Sequence, residues 1–461
     1  MQKTMRVIGR HPTWCGPIVS AMITAAVATG AADVMAAEVM WTEQSKTEGD
    51  KTPDNDQGTL NYDLAPTLGN TLHNKTIVSI HRLLRDHPTL LALENEQLAL
   101  LERSDALGAL PDPVVSLGIN NISISSPSFD EFLPTNKMIG VRQEFPNRKV
   151  RKAKTDQALA KSEAVSLNIN ATRDKLTADV LEHIIQLRRI DLQHELADSR
   201  LLKYDELTEV VESEIEAGNP SVFRLAEVDV ERARVSGFIN NLEAQRLSHE
   251  ARLIALTGSV PRLDAPQLNN YPKWTGDYND FHMVLIAQAE ISAIQESLNI
   301  SNASRFRRWG VQLAYQQRED GDNFKGDDWV SGQVFFTTPL WHAQSQAPEK
   351  RAANAAIEAA RQKLLLAQRT ALAEYTALAA RWDSAVENIS LLESQLDSVQ
   401  DKIDTQTTSY EAGIGYFAPI VDGDIALLKL RAEIIAEQAS MDTYRARLNS
   451  LLTTNVDANY E

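Results

Sequence analysis

Ser213-Glu214-Ile215-Glu216-Ala217-Gly218-Asn219-Pro220 closes a run, Asn147 to Ala217, that contains neither proline nor glycine. As one helix, these roughly 71 residues would span about 105 Å at about 1.5 Å per residue. Gly218 suits the left-handed position that ends a helix, and Pro220 cannot continue one. A second helix is predicted from Ser221 to Thr257, where Gly258 and Pro261 stop it. Helices this long point to extended columns rather than to the core of a compact enzyme.

The same phrase recurs. Glu216-Ala217-Gly218 matches Glu411-Ala412-Gly413, Asp229 matches Asp424, and Ala251-Arg252-Leu253 matches Ala446-Arg447-Leu448, all at an offset of about 195 residues. This predicts an internal duplication. The first repeat (75–258) reads as a helix, a hairpin (114–145), a long helix (147–217), a tip (218–220) and a helix (221–257). A linker (259–278) holding Pro261, Pro266 and Pro272 leads to the second repeat (279–453). That repeat reads as a helix, a hairpin (309–338), a long helix (344–411), a tip (412–422) and a helix (423–453), before a tail (454–461). In each repeat the two shorter helices together approach the length of the long one, so they can stack end to end beside it. The second long helix carries an apolar seam: Ala371, Tyr375, Leu378, Trp382, Ala385, Ile389, Leu392, Leu396, Val399 and Ile403. Its steps of four and three are coiled-coil spacing. Tyr375 and Trp382 are read there as core packing.

The hairpins raise a membrane question. Trp309, Val311, Leu313 and Tyr315 alternate with Gly310, Gln312, Ala314 and Gln316; Val330, Val334 and Phe336 alternate with Ser331, Gln333 and Thr337. Such faces fit a barrel with lipid outside and water inside, and Trp309, Tyr315, Trp329 and Trp341 near strand ends fit interfacial aromatics. They fit a small soluble sandwich equally well. Four strands cannot close a barrel alone, so the first reading needs several chains.

Residues 1–37 read as a secretory signal: Lys3, Arg6 and Arg10, an apolar run from Ile18 to Ala36, then Val34-Met35-Ala36 before the cut. A retained N-terminal anchor is the alternative. The only cysteine, Cys15, precedes the apolar run, which argues against lipidation and leaves the mature chain without a thiol. Residues 38–74 are polar and aperiodic and are expected to form an extended arm. The net charge of −17 disfavours nucleic acid as a partner. Histidines look scattered, without metal-ligand spacing. No nucleophile–base pair, phosphate loop or carboxylate dyad is visible, so neither catalysis, nor a cofactor, nor a resident metal is expected.

The order of segments resembles the outer membrane efflux protein (TolC) family over about residues 75–453. Gln143-Glu144-Phe145-Pro146-Asn147-Arg148-Lys149 and Thr337-Thr338-Pro339-Leu340-Trp341 resemble its strand-to-helix proline turns. Glu216-Ala217-Gly218 and Tyr410-Glu411-Ala412-Gly413 resemble its helix tips, and Ala251 to Gly258 resembles the end of its shorter helix. The resemblance implies an α+β fold in which a homotrimer pools twelve strands in an outer-membrane β-barrel above a periplasmic coiled-coil tunnel. It implies an exit duct for a tripartite efflux system, with a periplasmic adaptor (membrane fusion) protein, an inner-membrane pump of the RND type and outer-membrane lipid as partners. A type I secretion channel has the same architecture. The Gly218 to Arg224 tip, with the Gln143 to Lys149 segment, resembles the heavy-metal (cobalt–zinc–cadmium type) resistance subclass. A soluble periplasmic scaffold or a secreted pore-forming toxin would explain the signal and the helices, but neither accounts for both the hairpins and the duplication.

Work is expected at the tips. Glu216, Glu411, Asp422 and Asp424 would recur around a symmetric pore mouth as carboxylate rings, which attract cations and need partners to stay closed. Arg224 is the candidate partner. The plainer readings are a helix N-cap for Asp422 or Asp424 and a solvated face for Glu216 and Glu411. Gly218, Asn219, Pro220, Gly413 and Gly415 are the expected turn and adaptor-docking residues.

Overall fold

The computed structural model describes residues 65–218, 222–264, 271–304, 308–338 and 340–453. The expected signal, most of the expected arm, the C-terminal tail, Asn219 and Pro220 lie outside the described residues. The described residues are mostly helical with one small sheet. Helices α1 (Ala65–Leu84) and α2 (Pro88–Gly108) lead into strands β1 (Val114–Asn120) and β2 (Asn136–Phe145), then α3 (Arg148–Glu216) and α4 (Val222–Thr257). After the linker come α5 (His282–Ala303), β3 (Trp309–Gln317), β4 (Trp329–Phe336), α6 (His342–Glu411) and α7 (Ala418–Leu451).

The long helices run 69 residues in α3 and 70 in α6. At ~1.5 Å per residue each is about 100 Å long. Asn147 caps α3, its side chain accepting from the Lys149 N–H at 2.8 Å. α2 and α4 both pack on α3, while α5 and α7 both pack between α3 and α6. The stacking of α5 on α7 is tied by an antiparallel bridge between Phe281 and Leu452 and by the Thr453 N–H donating to the Asp280 carbonyl at 2.6 Å. At mid-height Ile80, Leu84, Leu90, Val180, Ile184 and Leu253 form a buried cluster that joins α1, α2, α3 and α4. Along the α6 seam, Ala371, Ala385 and Ile403 are buried and the other positions are half-buried, so the heptad pattern marks the packed stripe.

Several boundaries differ from the sequence reading. Residues 65–74, expected within an extended arm, are the opening turns of α1. The single helix expected to open the first repeat is two helices. His87 is the N-cap of α2, its Nδ1 accepting from the Thr89 N–H at 3.2 Å, and Pro88 occupies the first helical position. Strand one ends at Asn120; Asn121 adopts φ 56°, which turns the chain away and leaves Ile122 and Ile124 in the loop. The second tip is shorter than expected. α7 begins at Ala418 with Pro419 in its first turn, so Asp422 and Asp424 lie inside the helix and are not N-caps.

The linker also does more than connect. Tyr271 packs edge-on to Trp382 at 4.8 Å between ring centroids. The Tyr375 hydroxyl accepts from the Trp274 N–H at 2.9 Å and donates to the Pro272 carbonyl at 3.3 Å. The two aromatics of the seam are thus a clamp for the linker across α6.

Candidate functional site at the sheet and the helix tips

The strands form one antiparallel sheet in the order β1-β2-β3-β4. Its register aligns Leu117 with Ile139, Ile139 with Tyr315, and Tyr315 with Val330. One face therefore carries Val115, Leu117, Ile139, Val141, Val311, Leu313, Val330, Val334 and Phe336. The other carries Ser116, Gly140, Arg142, Gln312, Gln316, Ser331 and Gln333. The apolar face is uncovered: Leu117 and Val330 are each 78% exposed and Leu313 is 61% exposed. A soluble sandwich would bury these residues beneath a second sheet, and the described residues form no second sheet. β1 and β4 each lack a second partner strand among the described residues.

Trp309, Tyr315, Trp329 and Trp341 are all exposed. Trp309 stacks on Phe145 at 4.4 Å at the helix end of the sheet, near Trp341, while Tyr315 lies near the loop end of the apolar face. Trp329 pairs in register with Gln316, on the polar face, and the Arg318 guanidinium sits over its ring at 3.9 Å. No described helix is long and apolar enough to cross a membrane.

At the other end both reversals follow the same design. Gly218 and Gly413 have φ of 92° and 74°, which L side chains adopt only under strain. At the second tip the Ile414 N–H donates to the Ser409 carbonyl (3.0 Å) and the Gly413 N–H to the Tyr410 carbonyl (2.9 Å), a Schellman cap. Gly415 packs its α-carbon close to the backbone of Tyr410. The Gly218 N–H makes the equivalent bond to the Ile215 carbonyl at 3.0 Å.

The tip helices are locked side by side. Val211, Val228, Val421 and Ile425 form a buried cluster between α3, α4 and α7, and Ile403 of α6 packs with Ile420 and Leu427. Gly423 makes the latter approach possible, because a Cβ there would lie 2.4 Å from Ile403 Cγ1. Ion pairs surround this core. Arg224 of α4 donates through Nη2 to Asp422 of α7. Lys203 of α3 reaches Asp424 at 3.0 Å and Glu206 at 2.9 Å. The Glu206 hydrogen bond, then the one to Asp424, holds the Lys203 ammonium above its ordinary pKa. Lys429 approaches Glu231 at 3.7 Å, and the Tyr204 hydroxyl donates to the same carboxylate at 3.4 Å. Burial pushes the Glu231 carboxyl up, but Lys429, Arg234 and Tyr204 together outweigh it and leave it below its usual range. A cleft of about 250 Å³ opens between these groups.

Of the expected site residues, Arg224, Asp422 and Asp424 come together in this interlock. Glu216 and Glu411 are exposed and make no ion pair among the described residues. Sequence reasoning missed Lys203, Tyr204, Glu231 and Lys429, which sit far from either glycine turn and meet the tip only through helix packing. It also missed one histidine contact: His183 of α3 and His249 of α4, apparently scattered, face each other with Nδ1 atoms 3.1 Å apart. No group of three or more His, Cys, Asp or Glu able to hold a metal occurs among the described residues.

The open sheet thus has one uncovered apolar face and is continued by helices of about 100 Å. Residues 79–259 match the family model described as Outer membrane efflux protein. The match covers α2 to α4 and the first two strands, so this part of the chain is similar to that family. Among curated proteins, none matches the chain by sequence. Solved structures share its fold. CusC superposes with a TM-score of 0.66 at 14% identity over 81% of this chain and 91% of its own. The open-state MtrE outer membrane channel of Neisseria gonorrhoeae gives 0.67 at 13% identity, over 81% and 88% respectively. The CmeC outer membrane channel of Campylobacter jejuni gives 0.63 at 10% identity, over 87% and 95%.

Proposed function

We propose that the chain is the outer-membrane exit duct of a tripartite efflux system. The uncovered apolar sheet face carries this reading. Burying it in lipid removes the exposed side chains from water, and pairing β1 with β4 of a neighbouring copy satisfies the two open edges. Three copies then give twelve strands in one barrel. The duplication supplies each copy with two equivalent helical columns below it, with repeats at 75–258 and 279–453. The tips around Gly218 and Gly413 are the docking surface for a periplasmic adaptor, beyond which stands an inner-membrane pump of the RND type.

Heavy-metal cations are the proposed cargo. Support comes from the form of the first tip and from exposed carboxylates at both tips, Glu216 and Glu411, which would favour cations. The fold comparison does not sharpen this choice, since the TM-scores to CusC and MtrE are 0.66 and 0.67. Fractionation tests the duct reading. The protein is expected in outer membranes after high-salt and carbonate washes, as a trimer in detergent that conducts in planar bilayers. Recovery as a soluble monomer without conductance would overturn it. Cation-selective conductance lost on changing Glu216 and Glu411 to Gln is the expected result for cargo; unchanged selectivity would remove it.

A further inference from the structure

The contact between His183 and His249 lies outside the tip and the sheet and has no part in the duct as described. Both side chains are half-buried, on helices α3 and α4, at the level where α1 meets them. The rings are tilted 54° with centroids 5.2 Å apart, and the nearest atoms are the two Nδ1 nitrogens at 3.1 Å. From that separation we propose that His183 and His249 form a two-imidazole site for a borderline divalent transition-metal cation of the Zn²⁺ or Cu²⁺ class.

The geometry is that of adjacent ligands on one ion. Zinc–imidazole bonds are about 2.0–2.1 Å, so nitrogens at this spacing subtend roughly 100° at a shared metal, between octahedral and tetrahedral angles. Imidazole selects this class of cation over Mg²⁺ and Ca²⁺, which take oxygen ligands. Metal binding takes both imidazoles in the tautomer with the proton on Nε2, so the contact between the two Nδ1 atoms is exchanged for two bonds to the ion. The neighbouring carboxylates Asp179 and Glu182 are held by Arg447 at 2.5 and 2.7 Å, so water is assigned to the remaining positions on the half-exposed side. An ion so held would staple α4 to α3. The site stands on the imidazole pair alone and does not depend on the proposed cargo.

Untagged full-length protein in detergent, titrated with Cu²⁺ and followed by electron paramagnetic resonance and calorimetry, tests it. We expect one ion per chain with two nitrogen ligands. Affinity should fall at least tenfold in His183→Gln and in His249→Gln, but not in His194→Gln, whose histidine sits by Asp198 on α3. Zn²⁺ should raise the melting temperature of the wild type but not that of the double variant. A simple hydrogen bond between the two rings would leave the wild type binding no more metal than the double variant, and that result overturns the proposal. It does so even if the single variants fold poorly, because the wild-type stoichiometry and its two-nitrogen signature are read without them. Bilayer conductance is untouched by that outcome, so the duct reading stands or falls separately.

Discussion

In the proposed duct, removing the Arg224–Asp422 contact should shift the equilibrium from a closed toward an open state. The pair joins the start of α4 to the second turn of α7, so it couples the first reversal to the second within one chain. Its side chains are 30% and 49% exposed, and those of the Lys203–Asp424 pair are 35% and 32% exposed, so solvent screens both. Exposed pairs of this kind contribute about 0.2–1 kcal/mol each. In a trimer that opens in concert, one lost pair per chain sums to about 0.6–3 kcal/mol. That is roughly a 3-fold to 150-fold shift in the closed-to-open ratio, at about 1.4 kcal/mol per factor of ten. Asp422→Asn keeps the shape of the side chain and removes only its charge. Single-channel recording in planar bilayers should show open probability rising within this range. The reversed pair Arg224→Asp with Asp422→Arg should restore part of the closed population, and high salt should mimic the single variant. Open probability that stays constant across wild type, single variants and swap would refute the interlock as a gate. It would leave the contact as a surface ion pair of no functional weight.

Three further outcomes follow from particular contacts. Gly423→Ala gains about 1 kcal/mol of helix propensity but meets Ile403, an overpacking cost of about 1–3 kcal/mol, so denaturant unfolding should show net destabilisation; in an Ile403→Ala background the same change should stabilise, and an unchanged sign would show that the two sites do not touch. Leu313→Lys, on the uncovered face of β3, should cost about 2–4 kcal/mol per chain near the bilayer midplane and abolish recovery in outer membranes, whereas Gln312→Lys on the polar face should be recovered normally. Asp442 on α7 is pushed up to about 6 by burial, against the opposing pull of Arg445 and Arg188. Its folded pKa thus lies above its unfolded value, so its cost of up to about 3 kcal/mol is fully present above pH 6 and is relieved as pH falls from 6 towards 4. Unfolding of wild type and Asp442→Asn followed across that window should show the acid-side gain in the wild type only, and parallel curves would rule it out.

The sequence by itself determined the helical columns, the two reversals and the polarity of the strands. Those features rest on local rules: a run from Asn147 to Ala217 without proline or glycine, a glycine where φ must be positive, and apolar residues at every second position. Local rules misplace what depends on neighbours. The Asp422 and Asp424 N-cap reading failed because Pro419 starts α7 earlier than the aspartates suggest. Whether the apolar strand face was a core or a lipid surface was equally undetermined, since periodicity is identical in both; the described fold leaves that face without a second sheet over it. The tertiary structure alone decided which side chains meet across helices. Arg224 faces Asp422, Lys203 faces Asp424 and His183 faces His249 across long separations in sequence. The physical reason is helix packing: the relative rotation and axial register of α3, α4 and α7 are set by the buried contacts between them. No single helix carries that information in its own periodicity.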